Sequence, residues 1–226
     1  MLIIFDCDGV LVDSEIIASE VNLELVKELG LDITLDELSL RYSGLTADTI
    51  FDQVAQELEK PLPDDIAERS DRMLNEALQQ SLQPVSGVHN MLDALQDSIC
   101  ICSNSTTARL EQNLKITNLY DRFRPHVFSA VEVRQNLPKP SPDVFLHAAE
   151  TFSTAPDQTF VIEDSSHGVE GAVAAGMRVI GFTGASHSFA GHGERLMDAG
   201  AETTVSQLAD VPATVQALKS WSGIGL

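Results

Sequence analysis

The sequence predicts an α/β protein built on a doubly wound parallel sheet, with an all-helical unit inserted early in the chain. Three observations predict it. Short apolar runs recur at 2–5, 99–102, 126–129, 160–162 and 179–182, mostly separated by helix-patterned stretches, which is the alternation of a parallel sheet. The first gap is far longer than the others and carries helical periodicity only. Acidic residues follow two of the runs directly, at the strand ends where open α/β sheets bind ligands.

Composition narrows the field. The 226 residues suit one large domain or a core with an insertion, and a hydrophobic content of 43% is enough for a sizeable core. With 34 acids against 14 Lys and Arg, the net charge of −20 excludes a protein that holds nucleic acid through its phosphates. Cys7, Cys100 and Cys102 are an odd number of thiols inside apolar runs, which suits a reducing cytosol rather than a disulfide framework. Residues 1–5 lack the basic n-region and the length of an export signal, and no run approaches the ~18 apolar residues of a membrane span. A cytoplasmic protein without a membrane partner is expected.

The first run, Leu2 to Phe5, has the unbroken apolar character of a strand covered on both faces and ends in Asp6-Cys7-Asp8-Gly9-Val10. Asp6 and Asp8 share a face if the extended geometry continues, and Gly9 lets the chain turn away. Two carboxylates so placed repel each other unless a cation lies between them or one is protonated; a simple strand-ending turn is the alternative. Then come Ile17, Val21, Leu25 and Leu29 at a spacing of four, followed by helical patterns at 46–59 and 64–82. Residues 13–83 hold 17 acids and 5 basic residues, so their outer faces are expected to be solvated. The Pro84-Val85-Ser86-Gly87 turn marks the return, dividing the chain into a core of 1–12 plus 84–226 and a helical unit of 13–83.

The second strand leads into Ser103-Asn104-Ser105-Thr106-Thr107 and a helix patterned by Leu110 and Leu114. Free amides and hydroxyls at a helix start suit an oxyanion, although Ser105 or Thr106 as an ordinary cap fits equally. Lys139 stands between Pro138 and Pro140, which stiffen its loop and make it a candidate for phosphate. The fourth strand ends in Glu163-Asp164-Ser165-Ser166, adding two acids to the same sheet edge as Asp6 and Asp8. An oxygen-only set of this kind suits Mg²⁺, while none of the six histidines stands at metal-ligand spacing with another. His187 and His192 fall in the loop 185–193 after the fifth strand, a second segment able to reach a ligand at the strand ends.

Taken in order, DCDGV at 6–10, the strand-end Ser103, Lys139 within KPSPD and Glu163-Asp164 within VIEDS make the chain resemble the haloacid dehalogenase-like superfamily over nearly its whole length. The resemblance is to its phosphatases and phosphomutases that carry a helical cap after the first strand. It implies a Rossmann-like core with strands ordered 5-4-1-2-3, which would bring the two acidic pairs together. It further implies Asp6 as nucleophile, Asp8 as general acid and base, and Ser103, Asn104 and Lys139 as phosphate ligands. Mg²⁺ would be held by Asp6, the Asp8 carbonyl, Glu163 and Asp164. Members that cleave carbon–halogen bonds lack the second acid, so Asp8 argues for phosphoryl transfer.

The cap segment Arg41-Tyr42-Ser43-Gly44-Leu45-Thr46 resembles the family's substrate-specificity loop, with Arg41, Ser43, Gly44, Leu45 and Thr46 as the residues facing substrate. The implied substrate is a small phosphorylated metabolite, a sugar or sugar-acid phosphate first. Two other readings stand beside it, a phosphosugar mutase of the β-phosphoglucomutase type and a non-catalytic binding protein on the same fold. Against the mutase, Ala18 stands where those members place a gating His and Ala47 where they place a basic residue.

Overall fold

The structure, a computed structural model, describes residues 1–42 and 45–222. In chain order the elements are β1 (Leu2–Phe5), α1 (Glu15–Leu29), α2 (Leu35–Tyr42), α3 (Ala47–Leu58), α4 (Ile66–Ser81), α5 (Val88–Ala94), β2 (Ser98–Ser103), α6 (Thr107–Ile116), α7 (Tyr120–Phe123), β3 (Val127–Ser129), α8 (Asp143–Thr151), β4 (Thr159–Glu163), α9 (Ser166–Ala174), β5 (Arg178–Phe182), α10 (His192–Asp198), β6 (Thr203–Val205) and α11 (Val211–Ser222).

The strands form one parallel sheet ordered β3-β2-β1-β4-β5-β6. Its first five members have the implied neighbours, and β6 is an addition at the edge. Only Val205 of its three residues is buried, so β6 carries no apolar run for a sequence pattern to catch. β1 lies between β2 and β4, with Phe5 in register with Ile101 on one side and Ile162 on the other. The chain runs from β1 to β2 on one side and crosses from β3 to β4 on the other, which opens a crevice at the carboxyl ends of these strands.

Alternation along β1 builds the core. Ile3 and Phe5 enter one apolar cluster with Ile101, Leu110, Leu114, Phe160, Ile162 and Val211. Leu2 and Ile4 enter the cluster on the opposite face with Cys100, Cys102, Phe145, Val161 and Val169. Both faces are thus covered, as a fully apolar parallel strand requires. The three thiols are buried and unbridged. Helices α1 to α4 have a cluster of their own that contains Val21, Leu25, Leu38, Phe51 and Val54, whereas Ile17 and Leu78 join the first sheet cluster. The two passages between sheet and helices run antiparallel: Val12 bridges Pro84, Asp13 N–H donates to Gln83 at 3.0 Å and Val85 N–H to Leu11 at 3.0 Å. Among the described residues, no helix is long and apolar enough to cross a membrane.

Candidate active site

Asp6 is the first residue past β1, and its N–H still bonds Ile162 O at 3.0 Å, so it is fixed beside the end of β4. There Glu163 is the last strand residue and fully buried, and Asp164 follows it. Asp6, Glu163 and Asp164 each offer an oxygen within 4.8 Å of the others, a group able to hold a metal ion. Lys139 reaches into it, its ammonium donating to Asp6 Oδ1 at 2.7 Å and to Glu163 Oε1. Only 6% of Lys139 is exposed, so this cation is committed to the cluster.

Three buried carboxylates around one ammonium leave surplus negative charge. Burial works against the Lys139 charge, but Asp6 and Glu163 outweigh it and hold the ammonium above its ordinary range. Burial likewise lifts Asp6 well above the usual carboxylate range against the pull of Lys139. For Asp164, burial and then the neighbouring Glu163 act in the same direction. A cation among these oxygens would relieve that strain, and the donors are hard oxygens alone, the kind that Mg²⁺ takes.

Two glycines make the arrangement possible. Gly9 has φ +77°, and a Cβ there would stand 1.9 Å from Asp164 Oδ2. At Gly168 in α9 a Cβ would meet Glu163 Oε1 at 1.9 Å, so the helix start seats the carboxylate directly against its backbone. Ser165 completes the seat: its N–H and hydroxyl donate to Glu163 Oε2 at 3.2 and 3.0 Å, and the same hydroxyl accepts from Gly168 N–H at 3.0 Å as the cap of α9.

Asp8 sits apart from the lysine in a cradle of hydroxyls. Ser14 donates to Oδ1 at 2.7 Å, Ser105 to Oδ2 at 2.7 Å and Ser103 to Oδ2 at 3.3 Å. Ser103 Oγ also accepts from Ser105 N–H at 3.0 Å, and Asn104 Oδ1 accepts from the backbone N–H of Lys139 at 2.7 Å, tying the β2 turn to the lysine loop. Of the two possible caps of α6, Thr106 takes the role, accepting from Arg109 N–H at 3.4 Å. That leaves the Ser105 hydroxyl to Asp8.

Asp6, Asp8, Ser103, Asn104, Ser105, Lys139, Asp164 and Ser165 line one cleft of about 770 Å³, with Glu163 buried behind them. Its other wall comes from the inserted helices, with Ala18, Ser19 and Asn22 of α1, Ser39 and Tyr42 of α2, Leu45 and Thr46 before α3, and Ile50. Of the expected specificity residues, Leu45 and Thr46 therefore reach the cleft. Ser43 and Gly44 lie outside the described residues. Arg41 is not among the lining residues; it pairs with Glu57 at 3.5 Å on the exposed side of α2.

Two groups had no signal in the sequence, Ser14 and Glu15. Ser14 and Ser105 reach Asp8 only through the fold, and Glu15 looks like one more surface acid of the helical unit. The residue is exposed, yet its carboxyl opens onto the cleft, where the surrounding protein and then the charges of Asp164 and Asp8 raise it to about 7. From the loop 185–193, His187 Nε2 lies 3.0 Å from Asp164 Oδ2 and His192 Nε2 lies 2.6 Å from Asp164 O. Burial lowers both imidazoles below their ordinary range.

The chain is similar to several known proteins. The chain is 27% identical over 187 residues to 6-phosphogluconate phosphatase of Escherichia coli (strain K12), covering 82% of this chain and 84% of that one. It is 27% identical over 207 residues to a phosphorylated carbohydrates phosphatase of Thermotoga maritima, covering 90% and 93%. A crystal structure of a haloacid dehalogenase-like protein of unknown function from Agrobacterium tumefaciens matches with a TM-score of 0.93 and 46% identity over 96% of this chain and 98% of that one. The family model for haloacid dehalogenase-like hydrolases matches residues 3–182, a span that contains the entire carboxylate and lysine cluster, and the chain belongs to that family, in its phosphatase group.

Proposed function

We infer that the protein is a Mg²⁺-dependent phosphatase of small phosphorylated carbohydrates, with residues 13–83 acting as a cap over a catalytic core of 1–12 and 84–226. The observation that carries this reading is the convergence of Asp6, Asp164 and Lys139, backed by the buried Glu163, with a hydroxyl-held Asp8 on one cleft. Asp6, Glu163, Asp164 and the main chain of Asp8 would hold Mg²⁺, which supplies positive charge against the phosphoryl oxygens. Lys139 adds a second, fixed cation, and Ser103 and Asn104 are the remaining phosphate ligands.

Asp6 attacks phosphorus in line, forming an aspartyl-phosphate as the ester oxygen departs. Asp8 gives its proton to that oxygen and then removes one from the water that attacks the intermediate, returning inorganic phosphate and free Asp6. Hydroxyl partners suit a group that must change protonation state, because Ser14, Ser103 and Ser105 donate to a carboxylate and can turn to accept from a carboxyl. Hydrolysis is favoured over transfer to a second hydroxyl, since Ala18 presents no protonatable group to the cleft. Ser19, Asn22, Ser39 and Thr46 face the space where a leaving group would lie, and their hydroxyls and amide match a polyol chain.

The test is a phosphate-release screen over phosphorylated metabolites with and without Mg²⁺, followed by phosphorus NMR. Release that needs Mg²⁺ and is fastest with sugar or sugar-acid phosphates is expected. No release from any substrate, or positional isomers formed faster than inorganic phosphate, would overturn the reading.

A further inference from the structure

The loop 185–193 grips Asp164 at two points. His192 bonds the main-chain oxygen at 2.6 Å, with its other ring nitrogen 2.9 Å from Ser188 Oγ, while His187 Nε2 meets the side-chain Oδ2 at 3.0 Å. The loop is pinned in turn to the passage into the helical unit, because Ser186 donates its N–H to Asp13 Oδ1 at 3.1 Å and its hydroxyl to Asp13 Oδ2. The imidazole packs against the Gly9 turn, where a Cβ on Gly9 would lie 2.8 Å from His187 Cε1 and 1.9 Å from Asp164 Oδ2. Three segments thus converge on one carboxylate, the turn after β1, the end of β4 and the loop after β5.

Packing alone does not account for the histidine. Its Nδ1 is buried without a hydrogen-bond partner among the described residues, and a buried polar atom left unpaired costs about 1–3 kcal/mol. An apolar side chain would fill the same space without that penalty, so the other nitrogen must supply the reason for keeping the ring. An Asp164 that holds a cation is ionised, so the proton of the pair lies on Nε2 and His187 donates it. One carboxylate oxygen is then occupied and the ring fixes the orientation of the other.

We propose that His187 is a positioning residue that orients Asp164 for Mg²⁺, held in place by the anchor of its loop on Asp13. The proposal rests on the reading of Asp164 as a metal ligand. Outer partners of this kind typically carry a factor of about 10–100 in metal affinity.

The experiment measures Mg²⁺ binding by isothermal titration calorimetry, without substrate, on the wild-type chain, H187A and H187Q, with thermal unfolding to confirm that each variant is folded. H187A should bind Mg²⁺ about 10- to 100-fold more weakly, and the Mg²⁺ concentration for half-maximal phosphate release should rise in parallel. Its KM at saturating Mg²⁺ should stay near the wild-type value. H187Q, whose side-chain N–H₂ can donate from nearly the position of Nε2, should recover most of the affinity. Unchanged Mg²⁺ affinity in folded H187A, or a loss in H187Q as large as in H187A, would overturn the assignment. Absence of Mg²⁺ binding by the wild-type chain would overturn the metal reading beneath it as well.

Discussion

Gly168→Ala separates the local rule from the tertiary one. Within α9, away from other contacts, replacing Gly by Ala stabilises a helix by about 1 kcal/mol. Here the new Cβ would stand 1.9 Å from Glu163 Oε1 and 2.2 Å from Oε2, and the carboxylate must retreat by about 1.5 Å to reach van der Waals distance. It has no slack for that movement. Oε1 takes the Lys139 ammonium, Oε2 takes two donors from Ser165, and the residue is fully buried. Breaking a buried ion pair of this type costs about 3–5 kcal/mol, so the net loss should be about 2–4 kcal/mol. For a chain of this size that lowers the thermal midpoint by about 4–16 °C. Gly193→Ala in α10 is the matched control, because its nearest neighbour would be at 3.6 Å and the change should be neutral or slightly stabilising. Differential scanning calorimetry and phosphate release on the two variants decide it. A G168A protein with a midpoint within about 2 °C of wild type and undiminished kcat/KM would refute the claim that this glycine seats Glu163.

Asp6→Asn should leave the fold intact and lower phosphate release by about 10⁴-fold or more, checked by single-turnover assays on a substrate found in the screen. Glu15 titrates near 7 in the fold against an ordinary value of 4.5, so the folded chain holds that proton more tightly than the unfolded one. Its stabilising contribution is complete below about 4.5 and is lost as pH rises to about 7. In metal-free protein E15Q should therefore melt above wild type at pH 8, with the gap closing towards pH 4.5; a gap independent of pH would contradict the shift. Thr46→Asn keeps a side chain able to cap α3 but changes the cleft wall, and should alter kcat/KM unequally across a panel of sugar phosphates. Arg41→Ala, by contrast, should leave the substrate ranking as it is, because Arg41 faces Glu57 rather than the cleft.

What was legible in the sequence follows from how local each signal is. A strand buried on both faces must be apolar throughout, so β1 and β4 announce themselves, and acids just beyond them are conspicuous because nothing in a sheet core calls for them. Helices α1 to α4 were readable for the same reason, since Val21 and Leu25 must repeat at helical spacing to reach a shared cluster. The cradle of Asp8 was not, because 97 residues separate it from Ser105 and a serine in a turn has many ordinary uses. Glu15 escaped notice among the acids of an acidic helical unit, and only its position at the start of α1 turns it onto the cleft. Arg41 shows the reverse failure: a charge next to the right loop points away once the helix sets its direction. β6 was invisible because three residues with one buried side chain leave no pattern.

The paired passages at Val12 and Pro84 have an evolutionary consequence. Seen from the sheet, the whole insertion begins and ends at neighbouring rungs of one short ladder, so its interior can lengthen, shrink or be exchanged without moving the ends. Loop-closure entropy offers little resistance, since doubling the inserted length adds only about 0.6 kcal/mol. The residues proposed for bond breaking lie in or just after β1, β2 and β4 and in the Lys139 loop, none of which would be disturbed by such an exchange. A chain organised in this way can acquire a new leaving-group preference by recombination beyond Ser14, which leaves the partners of Asp8 and of the loop 185–193 in place.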